Sequence, residues 1–181
     1  MRIGVYVGSF NPPHLGHQHV VDYLLKKDLV DLVLLLPTPN YWDKNNLVSI
    51  QDRVEMLKYY EDEKVKVDQE HNAYPFTYQV LDSLEKDYPN DELYLIIGSD
   101  NLEKFHEWKN VENILKHYVI VLKRGNYKPN PHLSFYKNKF IYQDDFEPIS
   151  ISSTDIRNGV SGYLKPEVEN YIKNHLLYKE N

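Results

Sequence analysis

Residues 2–17 read RIGVYVGSFNPPHLGH, and this stretch decides the fold. The segment RIGVYV is mostly β-branched or apolar, so it predicts a short buried strand that ends at Gly8. A helix is predicted after His17, because apolar residues share one of its faces. These are Val20, Val21, Leu24 and Leu25. A strand, a glycine turn and an amphipathic helix are typical of the first unit of a parallel α/β sheet.

The same alternation of strand and helix continues along the chain. Apolar runs predict further strands at residues 31–36, 64–68, 93–97 and 118–122, with a short one near 140–142. Residues 126–139, rich in asparagine, proline and lysine, are expected to be irregular surface. Apolar strands that alternate with amphipathic helices favour a sheet covered on both faces.

Helix starts are marked by capping residues and proline. Ser49 begins the sequence SIQD, which resembles a capping box, Thr77 opens another helix, and a short helical region runs to His117. A final helix is expected from Pro166. Its buried face is predicted to hold Val168, Tyr171, Ile172 and Leu176.

We therefore expect a Rossmann-like, doubly wound parallel sheet in a single domain over residues 1–181, with a small C-terminal helical region. In such sheets ligands bind at the carboxyl ends of the strands, where the strand order reverses. A strand order 3-2-1-4-5 would place that point between the first and fourth strands. These strands end at Gly8-Ser9 and at Gly98-Ser99-Asp100.

The composition of the chain limits the kinds of binding partner and metal site that can be expected. The formal net charge of −6 does not favour nucleic acid, which usually binds a basic face. The chain has no cysteine, which excludes disulfides and thiolate metal sites, and no apolar run long enough to cross a membrane. A cytoplasmic protein is the default expectation. The oligomeric state is left open, homo-oligomers included.

The stretch GSFNPPHLGH lacks the GK[ST] of a P-loop and is not GxGxxG. Instead, His14 and His17 lie one helical turn apart near a helix N-terminus, where anions are favoured. Two imidazoles there can donate to phosphate oxygens, and phosphate charge would favour their protonation. His19 lies at the wrong angle and is expected to be structural. A metal site of these three histidines is the main alternative, although no nearby carboxylate completes it.

A second stretch, ISSTDIR at residues 151–157, indicates another anion site. Ser152, Ser153 and Thr154 can cap a helix start and gather backbone N–H donors. Arg157 lies about one turn further, and a guanidinium suits bidentate contact with phosphate. Taken alone, the stretch would fit an ordinary capped helix with a solvated arginine.

Together the two motifs resemble the HxGH nucleotidyltransferase superfamily. Within it the chain is similar to the nicotinate or nicotinamide mononucleotide adenylyltransferases. That resemblance rests on GSFNPPHLGH, the middle segment IIGSDNLEKFHEW at residues 96–108, and ISSTDIR, in that order. It covers essentially the whole chain, including the closing helix and its LLY ending at residues 176–178.

The resemblance implies a role for each matching residue. The backbone of Gly8, Ser9 and Phe10 would approach the substrate phosphates, while His14 and His17 would contact the phosphates of ATP and stabilise the leaving pyrophosphate. The first turn at Ser152, Ser153 and Thr154 would bind the same phosphates together with Arg157. Asp100 would hold ATP through its ribose. Trp108 would stack on the pyridine ring, near Thr77 and Tyr78.

For three of these residues a purely structural role is the alternative. Asp100 and Thr77 could simply cap helices, and Trp108 could anchor a loop to the core. The segment PTPNYWDKN at residues 37–45 departs from the pattern, since a histidine usual in acid-preferring enzymes is missing. Lys44 would keep the cationic role there. We expect nicotinate mononucleotide as the acceptor, with nicotinamide mononucleotide as the alternative.

The expected reaction transfers the adenylyl group of ATP to the pyridine mononucleotide and releases pyrophosphate. Mg²⁺ is expected to accompany ATP, held mostly by substrate and water, without a protein metal site. Two other functions stay open. One is another enzyme of the superfamily, such as a pantetheine-phosphate adenylyltransferase or a cytidylyltransferase. The other is a nucleotide-sensing module without activity.

Overall fold

The computed structural model describes residues 1–39 and 47–178. Six parallel strands form one sheet in the order β3-β2-β1-β4-β5-β6. They are β1 (Arg2–Gly8), β2 (Leu32–Pro37), β3 (Val65–Val67), β4 (Glu92–Gly98), β5 (Tyr118–Leu122) and β6 (Phe140–Gln143). The predicted order of the first five strands is confirmed, and β6 extends the sheet beyond β5.

The register opens a crevice at the centre of the sheet. β1 pairs with β2 from Ile3 opposite Leu32 as far as Gly8 opposite Pro37. Its pairing with β4 ends earlier, at Val5 opposite Leu95. The carboxyl ends of β1 and β4 therefore separate where the strand order reverses, which is the expected place for a ligand.

The described helices lie between and after the strands. They are α1 (Leu15–Lys26), α2 (Ile50–Leu57), α3 (Thr77–Asp87), α4 (Val111–Ile114), α5 (Ser153–Arg157) and α6 (Pro166–Asn174). Segments of 3-10 helix occur at Lys58–Tyr60, Ser99–Asn101, Phe105–Glu107 and Pro131–Lys139. Across residues 1–39 and 47–178, none of the helices has the length and apolar character that a membrane crossing needs.

Two hydrophobic cores cover the two faces of the sheet, because alternate side chains of each strand point to opposite sides. On β2, Val33 and Leu35 pack with α1, whereas Leu34 and Leu36 pack with α3. This is the doubly wound arrangement that the apolar strands predict.

Two local predictions are wrong. Residues 131–139 are not irregular, since Pro131–Lys139 forms 3-10 turns with a kink at Tyr136 and a buried Leu133. Leu176 is not part of the buried face of the last helix. α6 ends at Asn174, and Leu176 adopts a left-handed φ of 55° with 62% of its surface exposed.

Helix capping agrees with the sequence in part. The Ser49 hydroxyl accepts from the backbone N–H of Asp52 at 3.1 Å, so the predicted cap of α2 is present. Thr77 is the first residue of α3, but the N-cap position belongs to Phe76. Thr77 is thus free of the capping role that was its alternative.

Candidate active site

The two motif segments meet above the sheet although they lie far apart in sequence. The Arg157 guanidinium donates from Nη1 to the Asn11 carbonyl at 2.7 Å, and the Ser153 hydroxyl donates to the Pro12 carbonyl at 2.8 Å. The loop after β1 and the start of α5 therefore form one structure. The sequence predicts two separate anion sites, and the fold joins them.

His14 and His17 are oriented by the backbone of their own helix. His14 is the N-cap of α1, and its Nδ1 accepts from the N–H of Gly16 at 3.0 Å. The Nδ1 of His17 accepts from the N–H of His14, also at 3.0 Å. Because Nδ1 accepts in both rings, each neutral imidazole carries its proton on Nε2. The ring centroids are 3.8 Å apart, so the pair can present two N–H donors side by side.

Glycine is required at position 16 because the His14 ring lies against its backbone. A Cβ at this position would lie 2.7 Å from Cε1 and 2.9 Å from Nδ1 of His14, and 3.2 Å from Cγ2 of Ile151. The glycine between the two histidines thus makes room for the first of them.

Both rings are neutral in the ligand-free protein. Burial, together with the nearby positive charge of Arg124, lowers the pKa of His14 to about 4. Burial also holds the pKa of His17 well below its ordinary value, and His14 and Arg124 add to that effect. Desolvation therefore opposes the charged form in the free protein, and the expectation that phosphate charge favours protonation concerns the bound state.

α5 begins with a reciprocal cap. The Ser152 hydroxyl accepts from the N–H of Asp155, and the Asp155 carboxylate accepts from the N–H of Ser152, both at 3.1 Å. Thr154 accepts from Arg157 Nη2 at 3.1 Å through its hydroxyl. The cap fixes the first turn, and the contacts with Thr154 and Asn11 fix the guanidinium at its end.

Two connected clefts lie at the carboxyl ends of the strands. One, of about 170 Å³, is lined by the histidine pair and the start of α5. The other, of about 270 Å³, is lined by Gly98, Asp100, Thr77 and Trp108 among others. They share a wall whose residues are Tyr6, Val20 and Arg124. A ligand with a phosphate chain at one end and a ring at the other could span both.

Arg124 is a site residue that the sequence analysis missed. It follows β5, and its backbone N–H donates to the Ser99 hydroxyl at 2.7 Å. Its guanidinium makes no hydrogen bond to the part of the chain that the structure describes, and it faces both clefts. The sequence could have predicted this residue, because β5 is parallel to β4 and its carboxyl end also lies at this edge of the sheet.

Trp108 and Thr77 come together as expected, while Tyr78 does not line the cleft. The Trp108 ring packs on buried Phe105 with centroids 4.7 Å apart and also lines the larger cleft. Thr77 lies on the wall of the same cleft. Tyr78 instead packs against the hydrophobic core. Lys44 lies outside the described residues.

The loop of Gly8, Ser9 and Phe10 is held in place by buried side chains. The buried Phe10 ring would be 3.2 Å from a Cβ at position 8, which explains the glycine there. Phe10 itself has a left-handed φ of 48°. The Ser9 carbonyl accepts from Nη1 of fully buried Arg53 at 2.9 Å. His19 contacts the Glu147 carbonyl and stacks on Phe146, as a structural residue would.

The class of protein follows from a family comparison. A family model described as cytidylyltransferase-like matches residues 5–159, which include both histidines, Arg124 and Arg157. The match covers most of the chain and contains every element that lines the two clefts. This fold and this site are those of a nucleotidyltransferase.

Curated relatives narrow the assignment. The chain is 34% identical to a relative from Borreliella burgdorferi, covering 98% of this chain and 97% of the relative. It is 33% identical to one from Borrelia garinii, covering 98% and 95%. Both are named probable nicotinate-nucleotide adenylyltransferase. The chain belongs to the nicotinate-nucleotide adenylyltransferases within the cytidylyltransferase-like family.

Solved structures share the fold. A Plasmodium falciparum nicotinic acid mononucleotide adenylyltransferase complexed with NaAD superposes with a TM-score of 0.79 at 22% identity, covering 98% of this chain and 97% of that one. A Vibrio parahaemolyticus protein, described as a putative nicotinate-nucleotide adenylyltransferase, gives 0.67 at 26% identity, covering 99% and 96%. The sheet and its flanking helices are therefore shared along nearly the whole chain.

Proposed function

We propose that the chain, as a single nucleotidyltransferase domain, transfers the adenylyl group of ATP to nicotinate mononucleotide. The products are deamido-NAD and pyrophosphate. The observation that carries the proposal is the pair of clefts, with the paired imidazoles at one end, Trp108 at the other and Arg124 in the wall that they share. The names of the relatives support the same acceptor.

The smaller cleft suits the phosphates of ATP. His14 and His17 would donate from Nε2 to phosphate oxygens, and Arg124 in the wall of the cleft would supply positive charge. Arg157 lines a neighbouring cleft with Tyr178, and its contact with the phosphates stays a prediction. The first turn of α5 would add the backbone N–H groups of Ser153 and Thr154, since that of Ser152 already donates to Asp155. The loop after β1 would add those of Gly8, Ser9 and Phe10. Fixed donors aimed at developing charge need no reorganisation during the reaction, which is how such sites lower a barrier.

The larger cleft suits the pyridine mononucleotide and the ATP ribose. The Trp108 ring would stack on the pyridine, with Thr77 beside the carboxylate of the acid. Asp100 would accept from ribose hydroxyls. Tyr78 packs its ring against the core and lies outside the lining of this cleft. For Lys44 a contact with the acceptor stays a prediction.

Direct attack accounts for the reaction. The 5′-phosphate oxygen of the mononucleotide bonds to the α-phosphorus of ATP, and the bond to the bridging oxygen of pyrophosphate breaks. The attacking phosphate is already ionised at neutral pH, so no general base is needed. The protein's task is to position the two nucleotides and to stabilise charge on the leaving group.

Mg²⁺ would enter with ATP. Within the described residues, the smaller cleft is lined by nitrogen and hydroxyl groups rather than by carboxylates, so it offers no oxygen cage for this ion. Mg²⁺ prefers octahedral oxygen ligands and retains water, so phosphates and water would hold it. Asp100 in the larger cleft is the carboxylate able to contact that hydration shell.

Pyrophosphate release tests the proposal. Purified protein would be incubated with Mg-ATP and either nicotinate mononucleotide, nicotinamide mononucleotide or phosphopantetheine, and with CTP in place of ATP. We expect turnover with Mg-ATP and the nicotinate acceptor. Release with only phosphopantetheine or CTP would contradict the acceptor and redirect the assignment to another activity of the family.

The histidine role has a matched control on the same helix. His17→Ala should lower turnover by ~10²–10³, the usual loss on removing one preorganised donor. His19→Ala should leave turnover near the wild-type value, because this ring contacts Glu147 and Phe146 outside both clefts. Equal effects of the two substitutions would contradict a phosphate role for His17.

A further inference from the structure

Asn11 lies in the loop that follows β1, in contact with Arg157. Only 5% of its surface is exposed. Its carbonyl accepts from Arg157 Nη1 at 2.7 Å, and its side-chain Oδ1 accepts from the Tyr178 hydroxyl at 2.6 Å. A single buried residue therefore connects Arg157 with the segment that follows α6.

Tyr178 reaches this position through an unusual backbone path. Leu176 and Tyr178 both have left-handed φ values, 55° and 56°, although neither is glycine. Such conformations are disfavoured for residues with a Cβ and persist only where surrounding contacts hold them. Here the turned-back chain brings the phenol hydroxyl to Asn11. Burial raises the pKa of Tyr178, so its hydroxyl stays protonated and donates.

We propose that Tyr178 is a positioning residue for adenylyl transfer, which acts through Asn11 on the guanidinium of Arg157. The Asn11 Oδ1 also accepts from the Val48 N–H at 3.3 Å, so Tyr178 supplies the shorter of these two contacts. By holding the Asn11 side chain, the hydroxyl would help to fix the carbonyl that orients Nη1. Arg157 also donates to the Thr154 hydroxyl from Nη2, so these two contacts set the plane of the guanidinium. This inference rests on the proposed function, in which Arg157 binds phosphate.

A purely structural role for the tail predicts a different outcome, and the chain offers a matched control. The Tyr171 hydroxyl in α6 donates to the Asp52 carboxylate at 2.7 Å. This bond ties the same C-terminal region to α2 and touches neither cleft. Tyr171→Phe and Tyr178→Phe each delete one hydroxyl from one tail-to-body hydrogen bond. The Tyr171 hydroxyl donates to a carboxylate and the Tyr178 hydroxyl to a buried amide oxygen, and only the latter bond leads to Arg157.

The experiment measures kcat, KM for ATP and thermal unfolding for wild type and both variants. One neutral hydrogen bond corresponds to a factor of about 2–13. Tyr178→Phe should therefore lower kcat by about 3- to 10-fold while KM changes less than about twofold, since positioning matters most in the transition state. Tyr171→Phe should keep kcat within about twofold of wild type, and Tm should fall in both variants.

A double-mutant cycle with Asn11→Ala identifies the route. If Tyr178 acts through Asn11, Tyr178→Phe should lower kcat no further when Asn11 is already alanine. An unchanged kcat in Tyr178→Phe would overturn the proposal, and so would equal losses in both tyrosine variants. Wild-type protein without pyrophosphate release would instead refute the proposed function, a result distinct from either.

Discussion

The substitution Gly16→Ala tests whether activity depends on the placement of the His14 ring or only on the stability of α1. Alanine is the better helix former by about 0.5–1 kcal/mol, so propensity alone would predict a more stable protein. The added Cβ would however lie 2.7 Å from Cε1 of His14, well inside contact distance. The ring has to rotate, and the N-cap hydrogen bond from the Gly16 N–H to Nδ1 is then lost.

The two stability effects nearly cancel. Loss of an N-cap costs about 0.5–2 kcal/mol, which offsets the gain in propensity. The free energy of unfolding should therefore lie between about 0.5 kcal/mol above and about 1.5 kcal/mol below the wild-type value. Turnover should fall by ~10²–10³, because a displaced ring removes one preorganised phosphate donor.

Pyrophosphate release and urea unfolding, measured on the same preparation, test this reasoning. The expected result is a nearly unchanged unfolding midpoint with strongly reduced kcat. Wild-type turnover in Gly16→Ala would refute it, because it would mean that His14 need not occupy the position described. A collapse in stability would show that the clash is relieved by the backbone instead of the ring.

Three further predictions concern charge. Arg124→Ala should lower kcat/KM for ATP by about 10²-fold through loss of phosphate contacts, whereas neighbouring Lys123→Ala should not, and steady-state kinetics will compare them. Burial opposes protonation of His71, but hydrogen bonds to its two carboxylate partners outweigh burial and raise its pKa. Its stabilising contribution is then complete below about pH 6.5 and is lost as pH rises through the raised pKa, a loss that unfolding of His71→Gln should not show. His14 has a lowered pKa of about 4, so stability should fall as pH drops from about 6.5 towards that value. His14→Asn should reduce that fall in urea unfolding at pH 4.5 and 7.

The sheet was predictable because its signals are local. Each strand is a short apolar run closed by glycine, proline or a polar turn, and parallel strands place their carboxyl ends together. This rule led to Gly8, Gly98 and Asp100. The same rule applied to β5 would have led to Arg124, whose side chain lines both clefts.

The remaining differences arise from tertiary contacts. Helical spacing predicts burial of Leu176, but α6 ends two residues earlier and the chain turns into a left-handed conformation. Tyr78 matches a motif, yet the direction of α3 packs its ring into the core. The charge state of the histidines depends on burial between the loop and α5, which no spacing of residues reveals.

The locked tautomers of His14 and His17 bear on how the product leaves. Hydrogen bonds from charged donors are about twice as strong as those from neutral ones. Two neutral rings would therefore hold pyrophosphate more loosely than two imidazolium rings. A bound anion would raise the pKa of both rings, so pyrophosphate itself would favour the form that binds it more tightly. Its departure would return both imidazoles to the neutral form, in which they bind a second anion more weakly.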